Sequence, residues 1–426
     1  MKIIVNPLQE AVPELLQRPV MDHAALQTVV QGVLDAVRTG GDKAVASYTK
    51  QFDGVILDTA MVTEAEITEA TLLLDPALKD AIQLAAKNIK CFHEAQVNAP
   101  VTIETMPGVR SWRKAVGIDK VGLYIPGGSA PLFSTVLMLG IPAVIAGCKE
   151  IILCTPPSKD GSVNPAILYA ASVVGITRIY KIGGVQAIAA MAYGTETVPQ
   201  VYKIFGPGNQ YVTAAKQLVQ QNGVAIDMPA GPSEVCVLAD ETCNPDFVAS
   251  DLLSQAEHGP DSQVLLVSTS SKVVDQINEA LVSQLAVLPR KEIAQQALEN
   301  SKAVVVDSME QAIFIVNSYA AEHLILACDN DEVVSEKITN AGSVFLGNYS
   351  SESVGDYASG TNHTLPTSGY ARAYSGVSVD SFVKKITYQK LTPAGLQAIG
   401  AAVETMAAAE GLEAHKNAIT IRLQSL

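Results

Sequence analysis

The chain has 426 residues, 48% hydrophobic and 17% charged, with a net charge of −14; that length suits about two to three domains with a large core. An acidic chain with no basic run longer than Lys384-Lys385 is a poor nucleic-acid binder, because phosphate affinity rests on clustered Lys and Arg. The longest apolar run, 130-APLFSTVLMLGIPAVIAG-147, is broken by Pro142 and falls short of the ~18 residues of a membrane span, and the N-terminus does not read as a signal peptide.

In chain order, residues 21–95 read as helical, in two periodic segments around 22–52 and 63–96. Residues 101–115 alternate like strands. From 119 the rhythm changes. Strands are expected at 119–126, 149–157, 177–184 and 200–209, with helices at about 133–140, 164–174, 185–193 and 210–221 between and after them. A second block follows, with helices at 245–257, 271–285, 308–318 and 331–340 and strands at 262–269, 302–308, 323–328 and 342–347. The tail from about 379 reads as mainly helical. Alternation of this kind predicts parallel sheets in an α/β protein, and such sheets bind nucleotides at their C-terminal strand ends.

Three glycine turns, Gly127-Gly128, Gly183-Gly184 and 206-GPGNQY-211, each follow an apolar strand-like run and precede a helix, where backbone N–H groups can meet an anion. The G-x-G-x-x-G fingerprint is not met, because Tyr211 stands where the third glycine belongs, so plain tight turns remain an equally simple reading. The six cysteines (Cys91, Cys148, Cys154, Cys236, Cys243 and Cys328) form no C-x-x-C pair. They read as reduced, buried hydrophobes of a cytoplasmic protein.

Histidine is rare, with six in the chain. His23 and His93 fall on expected helices and read as structural or surface residues. The other four stand in polar stretches: QAEH258GP, AEH323L, TNH363TLP and EAH415KN. In 251-DLLSQAEHGPDSQ-263, Gln255 and His258 are three apart and therefore share a helix face just before a Gly-Pro stop. Histidine, carboxylate and amide oxygen form a ligand set for a borderline metal such as zinc, although no short metal motif is matched. A polar helix end explains the pair equally well. Glu322-His323 offers two bases if it lies at an element junction; otherwise it is a solvated loop pair. The stretch 355-GDYASGTNHTLPTSG-369 reads as an ordered active-site loop without regular structure, and Asp356 as either a ligand or a turn residue.

Taken together, SQAEHGPDSQ, AEHL, GDYASGTNHTLPTSG and EGLEAHKNAIT, with VGLYIPGG, GGVQAIAA, FGPGNQYV and DMPAGPSE, resemble the motif set of the histidinol dehydrogenases from about residue 20 to the end. The resemblance implies oxidation of L-histidinol to L-histidine through the aldehyde, with two NAD. It implies zinc held by Gln255, His258, Asp356 and His415, with Glu322 and His323 catalytic. Tyr124, Gln186 and Asn209 would contact NAD. Ser233, Gln255, His258, His323, Asp356, His363, Glu410 and His415 would contact substrate. It further implies two Rossmann-like modules with helical N- and C-terminal extensions in an intertwined homodimer, divided as an extension over 1–23, a first α/β domain over 24–123 and 237–378, a second, NAD-contacting domain over 124–236, and a tail over 379–426 that reaches the partner's site. A zinc hydrolase on the same ligands is the competing reading; NAD would have no effect on it.

Overall fold

The computed structural model describes residues 1–18, 23–127, 131–229 and 231–426. Among these residues the strands form three sheets: a six-stranded and a five-stranded parallel sheet and a three-stranded antiparallel sheet. Helices lie between the strands of both parallel sheets, making a mixed α/β fold.

The six-stranded sheet runs in the order Lys2–Val5, Lys302–Val305, Gln263–Ser268, Glu234–Ala239, His323–Ala327, Ser343–Leu346. All six residues of Glu234–Ala239 are buried. Side chains alternate across a strand, so both faces of this one must be covered. Val235, Val237 and Ala239 pack with helices Pro245–Ala256, Ser271–Val287 and Lys291–Glu299. Cys236 and Leu238 pack on the other face with helix Met309–Tyr319.

The five-stranded sheet runs Arg178–Lys181, Glu150–Thr155, Lys120–Tyr124, Lys203–Phe205, Ala225–Ile226. The same alternation divides it. Val121 and Leu123 face one cluster; Tyr124, Ile152 and Cys154 face another. Helix Pro76–Glu94 covers the first face through Ile82 and Ile89. Helix His23–Tyr48 covers the second through Val30, Leu34 and Val37. This differs from the sequence division, which set residues 24–123 with 237–378. The apolar stripes of these two helices are instead buried against the strands of 120–205.

Three expected elements are corrected. The N-terminal segment is not a helical extension alone: Lys2–Val5 is an edge strand paired in parallel with Lys302–Val305. The tail is not helical throughout, because Val383–Leu391 pairs antiparallel with Val109–Gly117 over nine residues, ahead of helices Pro393–Ala409 and Glu413–Gln424. The stretch from 355 is not free of regular structure, since helix Glu352–Tyr357 carries Asp356 into it. His93 is wholly buried, its Nδ1 donating to the Ile89 carbonyl at 2.8 Å, a structural role as expected. The side chain of His23 and residue Gly128 lie outside the described residues. No described helix is long and apolar enough to cross a membrane.

Candidate active site

The catalytic candidates stand at the starts of strands. His323 opens its strand and Glu322 precedes it, so the pleat does not force them to opposite faces. Glu322 Oε2 lies 3.7 Å from His323 Nδ1. The neighbouring strand begins at Glu234, whose main chain meets both groups. Its N–H donates to Glu322 Oε2 at 2.9 Å, and its carbonyl accepts from His323 Nδ1 at 3.2 Å. A carbonyl only accepts, so Nδ1 carries a proton and Nε2 is the nitrogen free to gain or lose one. Nε2 lies 3.4 Å from Asp356 Oδ1. Burial pushes the Glu322 carboxyl up to about 8, against the pull of His323. Burial alone would lower the His323 ring, but Glu352, Glu322 and Asp356 together hold it well above the ordinary imidazole range.

His258 meets the same cluster, and Gln255 stands three residues before it. Gln255 is in the last turn of helix Pro245–Ala256, fully buried, and His258 follows just past the helix end, with its N–H on the Gln255 carbonyl at 3.2 Å. Donor atoms of His258, Asp356 and Glu352 lie within 4.8 Å of one another. Among the buried polar atoms, Glu352 Oε2 and both side-chain atoms of Gln255 have no hydrogen-bond partner, and His323 Nε2 and Asp356 Oδ1 face only each other at 3.4 Å. An unsatisfied buried polar atom costs about 1–3 kcal/mol, so orphaned atoms beside a tight group of imidazole and carboxyl donors fit a bound group. Imidazole, carboxylate and amide oxygen donors fit zinc. The histidine between this cluster and the second sheet is His363. Its Nδ1 donates to the Asp356 carbonyl at 2.9 Å, and its Nε2 accepts from the Thr135 hydroxyl at 3.1 Å. Burial holds its ring below the usual imidazole range.

Glu352 and Asp251 were not visible as site residues in the sequence. Each stands four residues before an expected ligand (Asp356 and Gln255), one turn away on the same helix. That spacing was the available signal. Burial raises the Glu352 carboxyl to about 8 and that of Asp251 to about 7.

The expected nucleotide contacts gather elsewhere, at the C-terminal strand ends of the five-stranded sheet. Tyr124, Gln186 and Asn209 line one cleft of about 760 Å³. The Tyr124 hydroxyl accepts from the Gly184 N–H at 3.0 Å. Gln186 is in the first turn of helix Gly184–Tyr193 and reaches Asp53 Oδ2 at 3.4 Å, while its own Oε1 is buried without a partner. Asn209 caps helix Gln210–Gln221, its Oδ1 accepting from the N–H groups of Tyr211 and Val212 at 3.1 Å each. Gly206 has φ 126°, and a Cβ there would collide with the Tyr124 carbonyl, so only glycine fits.

A smaller cleft of about 300 Å³ adjoins the first, sharing Pro126 and Asn209 in its wall. Ser233, His258, Glu322 and His363 line it. His415 and Glu410 do not join these residues within the chain. Both are exposed on the hairpin of helices Pro393–Ala409 and Glu413–Gln424, and His415 is outside the cluster of donor atoms.

At the level of fold alone, the chain is similar to an NAD-dependent aldehyde dehydrogenase from Sinorhizobium meliloti, with a TM-score of 0.50 and 12% identity over 86% of this chain and 87% of that one. The family model described as histidinol dehydrogenase matches residues 16–423. The histidinol dehydrogenase of Bacteroides thetaiotaomicron is 60% identical over the whole of both chains. That of Xylella fastidiosa is 53% identical over the whole of both chains. A crystal structure of histidinol dehydrogenase from Elizabethkingia anophelis matches with a TM-score of 0.98 and 58% identity, covering 100% of this chain and 98% of that one. The chain belongs to the histidinol dehydrogenase family, a family of NAD-dependent oxidoreductases.

Proposed function

We propose that this chain oxidises L-histidinol to L-histidine through L-histidinaldehyde, as the last step of histidine biosynthesis, with NAD and one zinc ion per subunit. One observation carries this reading. The cleft holding Glu322, beside His323, shares walls with a larger cleft suited to a nucleotide. The strand order supports a dinucleotide there, since Lys120–Tyr124 is central, with the next two strands on one side and the following two on the other. Tyr124, Gln186 and Asn209 are its proposed contacts, and the two halves are read as Rossmann-like modules.

Gln255, His258 and Asp356 would hold zinc, which supplies an anchor and charge stabilisation for the substrate's imidazole and amine. The fourth ligand is proposed to be His415 of a second copy of this chain. The exposed hairpin would lend His415 and Glu410 to the partner's cleft, in an intertwined homodimer. Ser233, His258 and His363 line the cleft and are proposed as substrate contacts, along with Gln255, Asp356 and His323.

Bound NAD would supply the hydride acceptor for each of the two oxidations. The rest falls to the chain. Engaged by zinc, Asp356 would give up the negative charge that keeps a second proton on the His323 ring, and Nε2, the nitrogen not engaged by Glu234, would then accept the alcohol proton as the carbon–hydrogen bond breaks. Glu322, whose carboxyl burial pushes up to about 8, then in its ionised form removes a proton from the water that adds to the aldehyde. His323 returns its proton to the aldehyde oxygen as the water adds, which completes the gem-diol, and then accepts a gem-diol hydroxyl proton at the second oxidation. The cysteines are not needed, since no thiohemiacetal forms. The buried chains of Cys154 and Cys236 sit within the two sheets.

The test is the yield of NADH per histidine from purified protein and L-histidinol, with and without a chelator. Two NADH per histidine, lost on chelation and restored by zinc, is the expected result. One NADH with aldehyde released would sink the role given to Glu322. No NADH at all would leave the hydrolase reading.

A further inference from the structure

We infer that Arg18 and Glu234 form a positioning pair that sets the geometry of Glu322 and His323; the inference rests on the catalytic roles proposed above. Glu234 is an unexpected residue for its place. It opens a strand whose six residues are all buried and is itself fully inaccessible. A carboxylate there is costly unless it is paired and hydrogen-bonded. Arg18 pairs with it in a fork, Nε on Oε1 and Nη2 on Oε2 at 2.7 Å. The Ser368 N–H adds a bond to Oε1 at 2.9 Å. Arg18 is fixed in turn, its guanidinium 4.1 Å from the centre of the Tyr319 ring and its Nη2 donating to the Tyr319 carbonyl at 2.9 Å. Three chain segments far apart in sequence thus converge on one buried carboxylate.

The sheet itself does not need this charge, because an apolar side chain would satisfy the same buried position. What the carboxylate does hold is the peptide on either side of it. The N–H of Glu234 orients Glu322 and its carbonyl orients His323, both in hydrogen bonds that depend on where residue 234 sits. The fork of Arg18 spans both carboxylate oxygens, so it resists rotation as well as translation of Glu234. A shift of the peptide by a few tenths of an ångström would alter the reach of the free Nε2 and of the Glu322 carboxylate together. Neither Arg18 nor Glu234 touches the metal donors, the nucleotide cleft or the smaller cleft.

The experiment compares Arg18→Ala, Arg18→Lys and Glu234→Gln with the wild type as zinc-loaded enzyme, normalised to folded protein. Expected is a loss of tenfold or more in kcat for Arg18→Ala, with histidinol, and again with histidinaldehyde. KM for substrate and for NAD, and zinc content, should stay within about threefold of wild type, as expected for a residue acting only on the transition state. Lysine should restore little, because one ammonium cannot span both oxygens. Arg18 lines an open cavity with Leu16 and Asn340, so a guanidinium from solution can reach the vacated place. Millimolar ethylguanidinium should raise kcat of Arg18→Ala several-fold and leave wild type unchanged. If Arg18→Ala does not fold, Arg18→Lys carries the same comparison. Wild-type kcat per folded enzyme in Arg18→Ala or Arg18→Lys would overturn the inference, as would a loss that follows zinc content or KM. Failure of the wild type to form NADH would instead overturn the reading on which it rests.

Discussion

The two clefts are built on opposite principles. The larger lies at the C-terminal ends of the five-stranded sheet and is made of turns whose polar groups are mostly satisfied: the Gly184 N–H by Tyr124, the Tyr211 and Val212 N–H groups by Asn209. The smaller lies at the N-terminal starts of the six-stranded sheet, and behind its wall residues His258 and Glu322 stand buried acids and an imidazole whose polar atoms are only partly paired. The difference teaches what each can do. A satisfied, pre-formed wall binds by shape and a few donors. An unsatisfied cluster stores a demand that a cation and a substrate can meet. The shared residues Pro126 and Asn209 set the two side by side.

The comparison is broken most severely at His323. His323→Asn should lower kcat by about 10²–10⁴-fold, the range for losing a general base. Metal analysis should find zinc retained; zinc loss in this variant would show that His323 belongs to the metal and not to the proton. Next in size is Glu352→Gln. It takes away a carboxyl that bound zinc would draw into its ionised form and should weaken zinc affinity about 10–100-fold, read by competition with a chelating dye. Unchanged affinity would place Glu352 outside the metal's reach.

In the larger cleft the effects should be smaller, because single neutral bonds are at stake. Tyr124→Phe frees the Gly184 N–H and should cost about 0.5–1.5 kcal/mol of NAD affinity, several-fold in Kd by fluorescence titration. Zinc affinity should not change, and a change there would mean the two clefts are not separable. The smallest effect concerns Asp53, whose carboxyl burial raises to about 6. The folded state then holds a proton that the unfolded state has released, so stability from this group falls as pH rises from about 4 through 6. Asp53→Asn should therefore raise the melting temperature above wild type at pH about 7.5, with the gap closing near pH about 4. A gap independent of pH would rule out the burial account.

Much of this was legible in the sequence, for identifiable reasons. The glycine turns punctuated the first sheet, and rare histidines beside acids marked the second cleft. Glu322-His323 could be read as a pair because adjacency at a strand start needs no knowledge of distant chain. Glu352 and Asp251 were not legible, since an acid on a short polar helix most often faces water, and only the fold buries these two. Strand Val383–Leu391 was hidden because its pairing partner, Val109–Gly117, is distant in sequence and neither strand is covered on both faces. Arg18 carried no local signal; its role depends on a carboxylate more than two hundred residues away.

Cys154 and Cys236 each sit fully buried in a parallel sheet, one in each half, and burial pushes both thiols far above their usual range. Thiolate is the reactive form, so both are closed to alkylation while their sheet is intact. They are therefore a built-in pair of clocks. The rate at which each is labelled by an alkylating reagent reports how often its own sheet opens, and a difference between the two rates would reveal whether the halves of the molecule unfold together or one after the other.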